Sequence, residues 1–331
     1  MKDEPQRWGG RRRRGVRTPQ LFLCALPISA VLSFSCGSRT GLFAAGEAEA
    51  PLDAGFDAPR PVDATTVRDT APETLPTIDA TPRDANFTDC PDAAATLIYV
   101  LTEQEQLFSF YPPSASFTYI GNIACPGSLS TPWSMAVDRK GIAYSVFRDG
   151  DLFRISTATA ACTATPYVPN QSGFLTFGMG YAADTTGPGE TLFVAETTFT
   201  PPSKGLATID TSSFTLQFVG PFQPSIPGAE LTGTADGRLY GYYKNPSGSG
   251  SHVVEIDKTT ATIVADDALQ VGNPNDSWAF AYWGGDFYVF TGTTAASTVT
   301  RFRPSDLSET TITTLPSTIV GAGVSTCAPA Q

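Results

Sequence analysis

The sequence predicts an all-β fold, a single five-bladed β-propeller. Two landmark strands recur together at intervals of 45 to 54 residues between positions 94 and 327, a strand-like segment is left over at the end of the chain, and the composition favours short strands joined by turns. The 331 residues include 21 Phe, 11 Tyr and 4 Trp, with 30 Gly and 27 Pro to make turns between them. Composition changes near residue 90, so three parts are expected: a signal peptide at 1–36, a disordered acidic linker at 37–89 and the propeller at 90–331.

The first part reads as an export leader. Arg11, Arg12, Arg13, Arg14 and Arg17 precede the apolar run from Leu21 to Phe34, and small residues follow. That run has 14 residues, whereas crossing a bilayer takes about 20, which disfavours a permanent membrane helix. Cys36, directly after Ser35, resembles the acylated cysteine of a lipobox. The resemblance implies a thioether-linked lipid on Cys36 and a place in the cell envelope, at the outer membrane or a periplasm-facing surface. Free secretion and an uncleaved anchor are the alternatives. Cys36 to Leu42 with the Asp-Ala-Pro-rich tail behind it also resembles the opening of uncharacterised bacterial lipoproteins.

From Phe43 to Asp89 the chain is dominated by Ala, Asp, Pro and Thr and shows neither helical nor strand period. Apolar side chains are too sparse there to offset the entropy of ordering, and frequent prolines with like charges predict an extended stalk. Its repeated Asp-Ala pairs lack the spacing of a calcium loop. Charge supports the division: residues 1–44 carry +6, 45–89 carry −7 and 90–331 carry −10. A chain cut before Cys36 sits near −16, which disfavours nucleic acid as a partner and leaves membrane contact to the lipid.

The repeats are aligned by their second strand: Leu97-Ile98-Tyr99, Ile142-Ala143-Tyr144, Thr191-Leu192-Phe193, Arg238-Leu239-Tyr240 and Asp286-Phe287-Tyr288. Third strands begin near Leu107, Leu152, Leu206, Val253 and Val299, and outer strands span 116–121, 162–167, 214–220, 261–266 and 310–315. Small residues before four of the aromatic strands suit the crowded inner position. The aspartates in the turns that follow, such as Asp138 and Asp236, are read as hairpin braces. The first unit lacks an inner strand and Val320 to Thr326 lacks a blade, so the C-terminal strand is expected to close the first blade. These units, with Asp-x-x-Gly-aliphatic-Tyr at their centre, resemble NHL and SMP-30-like propeller repeats over nearly all of 94–327.

Cys24 lies in the leader, leaving four cysteines in the domain and three pairings. Ring closure favours Cys90-Cys327, and neighbouring blades favour Cys125-Cys162; an oxidising envelope suits both. The spacing offers no metal motif, His252 is the only histidine, and no phosphate loop or nucleophile elbow is present. No catalytic residue, metal or cofactor is expected. The candidate ligand-binding residues are Trp133, Phe177, Glu230, Asn275, Asp276 and Trp278, on the loops that lead into inner strands, where aromatic platforms beside amides and carboxylates suit a glycan or a protein. For Trp133 and Trp278 a role as wedges between blades is favoured slightly over ligand contact. The expected function is therefore non-catalytic binding of a protein partner or extracellular polymer by a monomer. The alternative is the metal-dependent hydrolase or lactonase that the SMP-30-like resemblance implies, with Glu230, Asn275 and Asp276 as its carboxylate and amide ligands.

Overall fold

The computed structural model describes residues 74–79, 97–198, 202–246, 248–272 and 277–330. All of them belong to the compact unit Asp69–Gln331; the leader, Cys36 and most of the linker lie outside the described residues.

The strands form five four-stranded antiparallel sheets, each written here from its innermost to its outermost strand. Blade 1 is β20 (Ile319–Gly323), β1 (Ile98–Thr102), β2 (Gln106–Tyr111) and β3 (Ser116–Asn122). Blade 2 is β4 (Pro132–Val137), β5 (Ile142–Phe147), β6 (Leu152–Ser156) and β7 (Cys162–Ala164). Blade 3 is β8 (Phe177–Ala183), β9 (Glu190–Glu196), β10 (Leu206–Asp210) and β11 (Thr215–Gly220). Blade 4 is β12 (Glu230–Gly233), β13 (Leu239–Lys244), β14 (Ser251–Asp257) and β15 (Thr262–Leu269). Blade 5 is β16 (Ser277–Trp283), β17 (Asp286–Gly292), β18 (Ser297–Arg303) and β19 (Ser308–Leu315). The last strand in sequence, β20, pairs with the first, β1, setting Tyr99 opposite Gly323 and Leu101 opposite Gly321. The ring is thus closed as the repeat count requires.

Side chains alternate across a strand, so adjacent residues face opposite neighbours. This explains the recurring aliphatic-aromatic pair. Leu192 enters the buried cluster between blades 2 and 3 while Phe193 enters the one between blades 3 and 4. Leu239 and Tyr240 divide likewise between blades 3/4 and 4/5, and Phe287 and Tyr288 between 4/5 and 5/1. Each pair wedges one blade against both flanks.

At the axis the inner strands meet backbone to backbone. A Cβ on Gly178 would lie 2.0 Å from the Ala229 carbonyl oxygen, and one on Gly180 would lie 2.7 Å from the Leu231 carbonyl. Both are contacts between blades 3 and 4 that only glycine permits. The turn aspartate Asp138 accepts the Lys140 and Ile142 N–H groups at 2.9 and 2.8 Å, the brace read from the sequence. β7 stops at Ala164, short of the expected Tyr167, because Pro166 has no N–H to continue the ladder.

Cys125, after β3, and Cys162, at the start of β7, form a disulfide that staples blade 1 to blade 2. Cys327 is buried and engaged in a disulfide; Cys90, its expected partner, lies outside the described residues. Within the stretch expected to be disordered, residues 74–79 depart from that expectation. They run extended along the outer edge of blade 4, with Leu75 packed on the 3/4 cluster and Ile78 buried in the 4/5 cluster. An average over the linker conceals two apolar residues three positions apart.

Gly180→Ala is expected to lower stability by about 1–3 kcal/mol through overpacking, whereas Gly248→Ala, with no neighbour within 4 Å, stays within about 0.5 kcal/mol of wild type. Denaturant midpoints at constant m-value compare the two. Cys125→Ser should lose about 4 kcal/mol, since the bond closes a loop of sequence separation 37; a loss under 1 kcal/mol would show that the staple contributes little.

Candidate functional site

The two faces of the ring differ. On one, the chain leaving β20 turns across the channel. Thr326 is 1% exposed; its hydroxyl donates to Glu190 at 2.8 Å and accepts from Arg139 Nε at 2.7 Å. Farther on, Gly284 N–H donates to the Pro329 carbonyl at 2.7 Å and Tyr282 Oη donates to the Ala330 carbonyl at 3.2 Å. The segment therefore spans from blades 2 and 3 to blade 5. Burial raises the Glu190 carboxyl against the opposing hydrogen bonds from Arg139 and Thr326, so this seal is held by a desolvated polar network.

The other face is built by the loops that lead into inner strands and those joining second to third strands, and here most of the sequence candidates fall. Trp133 and Trp278 are both half-buried, against the 2/3 and 4/5 clusters respectively. The Arg148 guanidinium lies 4.9 Å from the centre of the Trp133 ring, whose Nε1 donates to Thr197 at 3.2 Å. The Lys244 ammonium lies 4.1 Å from the centre of the Trp278 ring. Each tryptophan is thus a wedge with one edge left at the surface, and each is covered by a cation. Phe177 is not a surface residue: its side chain is fully buried in the 2/3 cluster, because the first residue of β8 already faces a neighbouring blade. Asn275 and Asp276 lie outside the described residues.

Glu230, at the start of β12, extends inward instead of toward the loops. Its Oε2 accepts the Ser134 hydroxyl of blade 2 at 2.6 Å, and the Met179 backbone N–H of blade 3 donates to the same carboxyl. Ser134 is itself buried and receives the Ser145 hydroxyl on its carbonyl at 2.9 Å. Three blades are joined through one side chain at 5% exposure. Burial pushes the carboxyl up to about 8, with the bonds from Ser134 and Met179 opposing the shift. A group so enclosed ties blades together and presents no face to a substrate. Among the described residues no three His, Cys, Asp or Glu side chains converge to hold a metal ion.

A small cleft opens on the loop face where blades 3, 4 and 5 meet, lined by Thr198, Pro227, Gly228, Lys244, Pro246 and Trp278. Only Trp278 of this group was legible as a candidate; the others carry no motif and are assembled by the ring. Asn245 completes the lining and ties it to His252. The Asn245 amide nitrogen donates to the Ser249 carbonyl at 3.2 Å, which fixes its oxygen toward His252 Nε2 at 3.2 Å, while His252 Nδ1 meets Asp266 at 2.7 Å. Both ring nitrogens thus face side-chain oxygens, and the ring stacks on Tyr243 with 4.9 Å between centres. The lone histidine thereby braces the loop behind the cleft.

No protein-family model matches the chain, and no curated protein matches it. Among solved structures it is similar to a chain of a nidogen/laminin complex, at 12% identity and TM-score 0.44 over 69% of this chain and 97% of that one. It is also similar to the Dos1 propeller, at 9% identity and TM-score 0.38 over 68% and 70%. A glutaminyl cyclase from Myxococcus xanthus follows at 17% identity and TM-score 0.34, over 59% and 88%. All three of these TM-scores are below 0.5, so the likenesses say nothing of a ligand or an activity; the architecture rests on the strand pairing itself.

The folded state keeps on Glu230 a proton that the unfolded chain releases near pH 4.5, so its contribution to stability falls as pH rises from there to about 8. Glu230→Gln should remove that dependence, gaining on wild type by up to about 1.4 kcal/mol per pH unit across the window. Unfolding curves at pH 5, 6.5 and 8 measure it; parallel curves for the two proteins would refute the assignment.

Proposed function

We propose that this chain is an exported, lipid-anchored propeller that acts as a non-catalytic binding module, engaging a protein partner or an extracellular polymer through its loop face. The observation that supports this most is the asymmetry of the ring: one face is crossed by the C-terminal segment, while the other opens into the cleft beside Trp278. Prolines, a tryptophan edge and polar groups line that cleft, a mixture suited to sugar rings or an extended peptide. The basic and apolar leader, Cys36 and the acidic linker support placement at the envelope as a monomer displayed on a tether, and the acidity disfavours nucleic acid.

Palmitate labelling of cells making the full chain and its Cys36→Ser variant tests the anchor: label is expected on the first and absent from the second, and an unlabelled wild type rules the anchor out. For ligand binding, the purified chain is applied to a glycan array and crosslinked in intact envelopes. Trp278→Ala should weaken any saturable ligand by about tenfold or more, as removal of a buried aromatic anchor does. A ligand indifferent to Trp278 moves the site elsewhere, and one tightly held stoichiometric cation in the purified protein replaces this reading with the metal-dependent hydrolase.

A further inference from the structure

The segment 74–79 is bound to blade 4 in the manner of a peptide ligand. The Asp266 N–H, on the free edge of β15, donates to the Pro76 carbonyl at 3.0 Å, a single rung of strand addition. Asp267, on the same strand and 4% exposed, accepts the Ile78 N–H on its Oδ2 at 3.3 Å. Arg238 Nη1 donates to the Asp79 carbonyl. All three bonds address the backbone of the segment. The side chain of Ile78 enters the apolar cluster between blades 4 and 5, which Tyr240, Tyr242 and Phe287 also help to form. A receptor of this kind demands an extended backbone and one large apolar residue, and tolerates variation in which apolar residue it is.

The linker supplies that ligand repeatedly. A large apolar residue followed by Asp-Ala occurs four times in the chain, as Leu52-Asp53-Ala54, Phe56-Asp57-Ala58, Val62-Asp63-Ala64 and Ile78-Asp79-Ala80, and nowhere outside residues 52–80. The apolar position varies among large residues, as a socket recognising shape and backbone would allow. Ile78 and Asp79 of the fourth copy are seated on blade 4.

We propose that the furrow along β15 between blades 4 and 5 is a binding site for extended apolar-Asp-Ala peptides, occupied here by the chain's own Ile78 copy and open to residues 51–64 of a second molecule. Among the described contacts of the occupant are the buried Ile78 side chain, the partly buried Leu75 and hydrogen bonds of its backbone with Asp266, Asp267 and Arg238. Attachment in the same chain gives Ile78 the advantage of a high local concentration, so copies on another molecule compete when that copy is removed or when molecules are crowded. This site lies on the flank of the ring, apart from the cleft of the loop face.

The test uses the full chain carrying Leu75→Ser and Ile78→Ser, and a fluorescent peptide of residues 48–66, which contains three copies of the motif. Binding to this variant is expected to be saturable and roughly tenfold or more tighter than to wild type. A peptide of residues 74–80 should compete, and Asp267→Ala in the variant should weaken binding. The control peptide has Leu52, Phe56 and Val62 all replaced by serine, and should not bind. Absence of binding to the variant, or equal binding of the control peptide, overturns the proposal. If the doubly substituted chain does not fold, wild type with a spin-labelled peptide serves instead: the Asp266 and Asp267 amide resonances should broaden first, and their invariance at saturating peptide overturns it equally.

Discussion

The pairing of β20 with β1 is the constraint on which the rest depends. A ring of blades is held by neighbours on both sides, so one open interface would leave two sheet flanks and two apolar clusters half exposed. Closing it with the last strand in sequence makes folding of the ring a property of the whole chain, since blade 1 is incomplete until residue 323 has arrived. The contacts between β1 and β20 are of high sequence separation, so a large loop must close before they form. The disulfide from Cys125 to Cys162 reinforces the neighbouring interface, and Cys327, just beyond the closing strand, is also held in a disulfide.

Closure also sets the polarity of the molecule. With the inner strands in backbone contact at Gly178 and Gly180, the axis leaves little free space. Glu230 occupies part of what remains, and the residues after β20 cover one mouth. Accessible surface other than the covered mouth lies on the loops of the opposite face and on the flanks, where outer strands present their edges. Different devices guard three of those edges: the Gln171 side chain bonds both Phe214 and Leu216 beside β11, Gln223 bridges to Thr262 on β15, and Glu309 on β19 accepts the Gln270 and Val271 amides.

Much of this architecture was legible because it repeats. The aliphatic-aromatic pair recurs since each blade must fill two interfaces with adjacent residues, and the orphan segment at 320–326 could be assigned because the strand count left one vacancy. The turn role of Asp138 followed from local chemistry alone. The site was less legible. Phe177 was misplaced since the boundary between a loop and an inner strand decides, within one residue, whether a ring faces solvent or a neighbour. Thr198, Pro227 and Lys244 gave no signal, because a cleft at the junction of three blades depends on how separate repeats are set around the axis. The 74–79 strap escaped notice because two apolar residues in a polar tract look like noise until the socket for one of them is seen.

The strap has a mechanical consequence. Tension applied to the chain upstream of Thr74 reaches blade 4 before it reaches β1, so the outer edge of β15 takes the load ahead of the ring seam. There the Pro76, Ile78 and Asp79 contacts are the ones that meet it. The strap's contacts are separate from those that pair β20 with β1, so releasing the segment leaves the seam of the toroid intact.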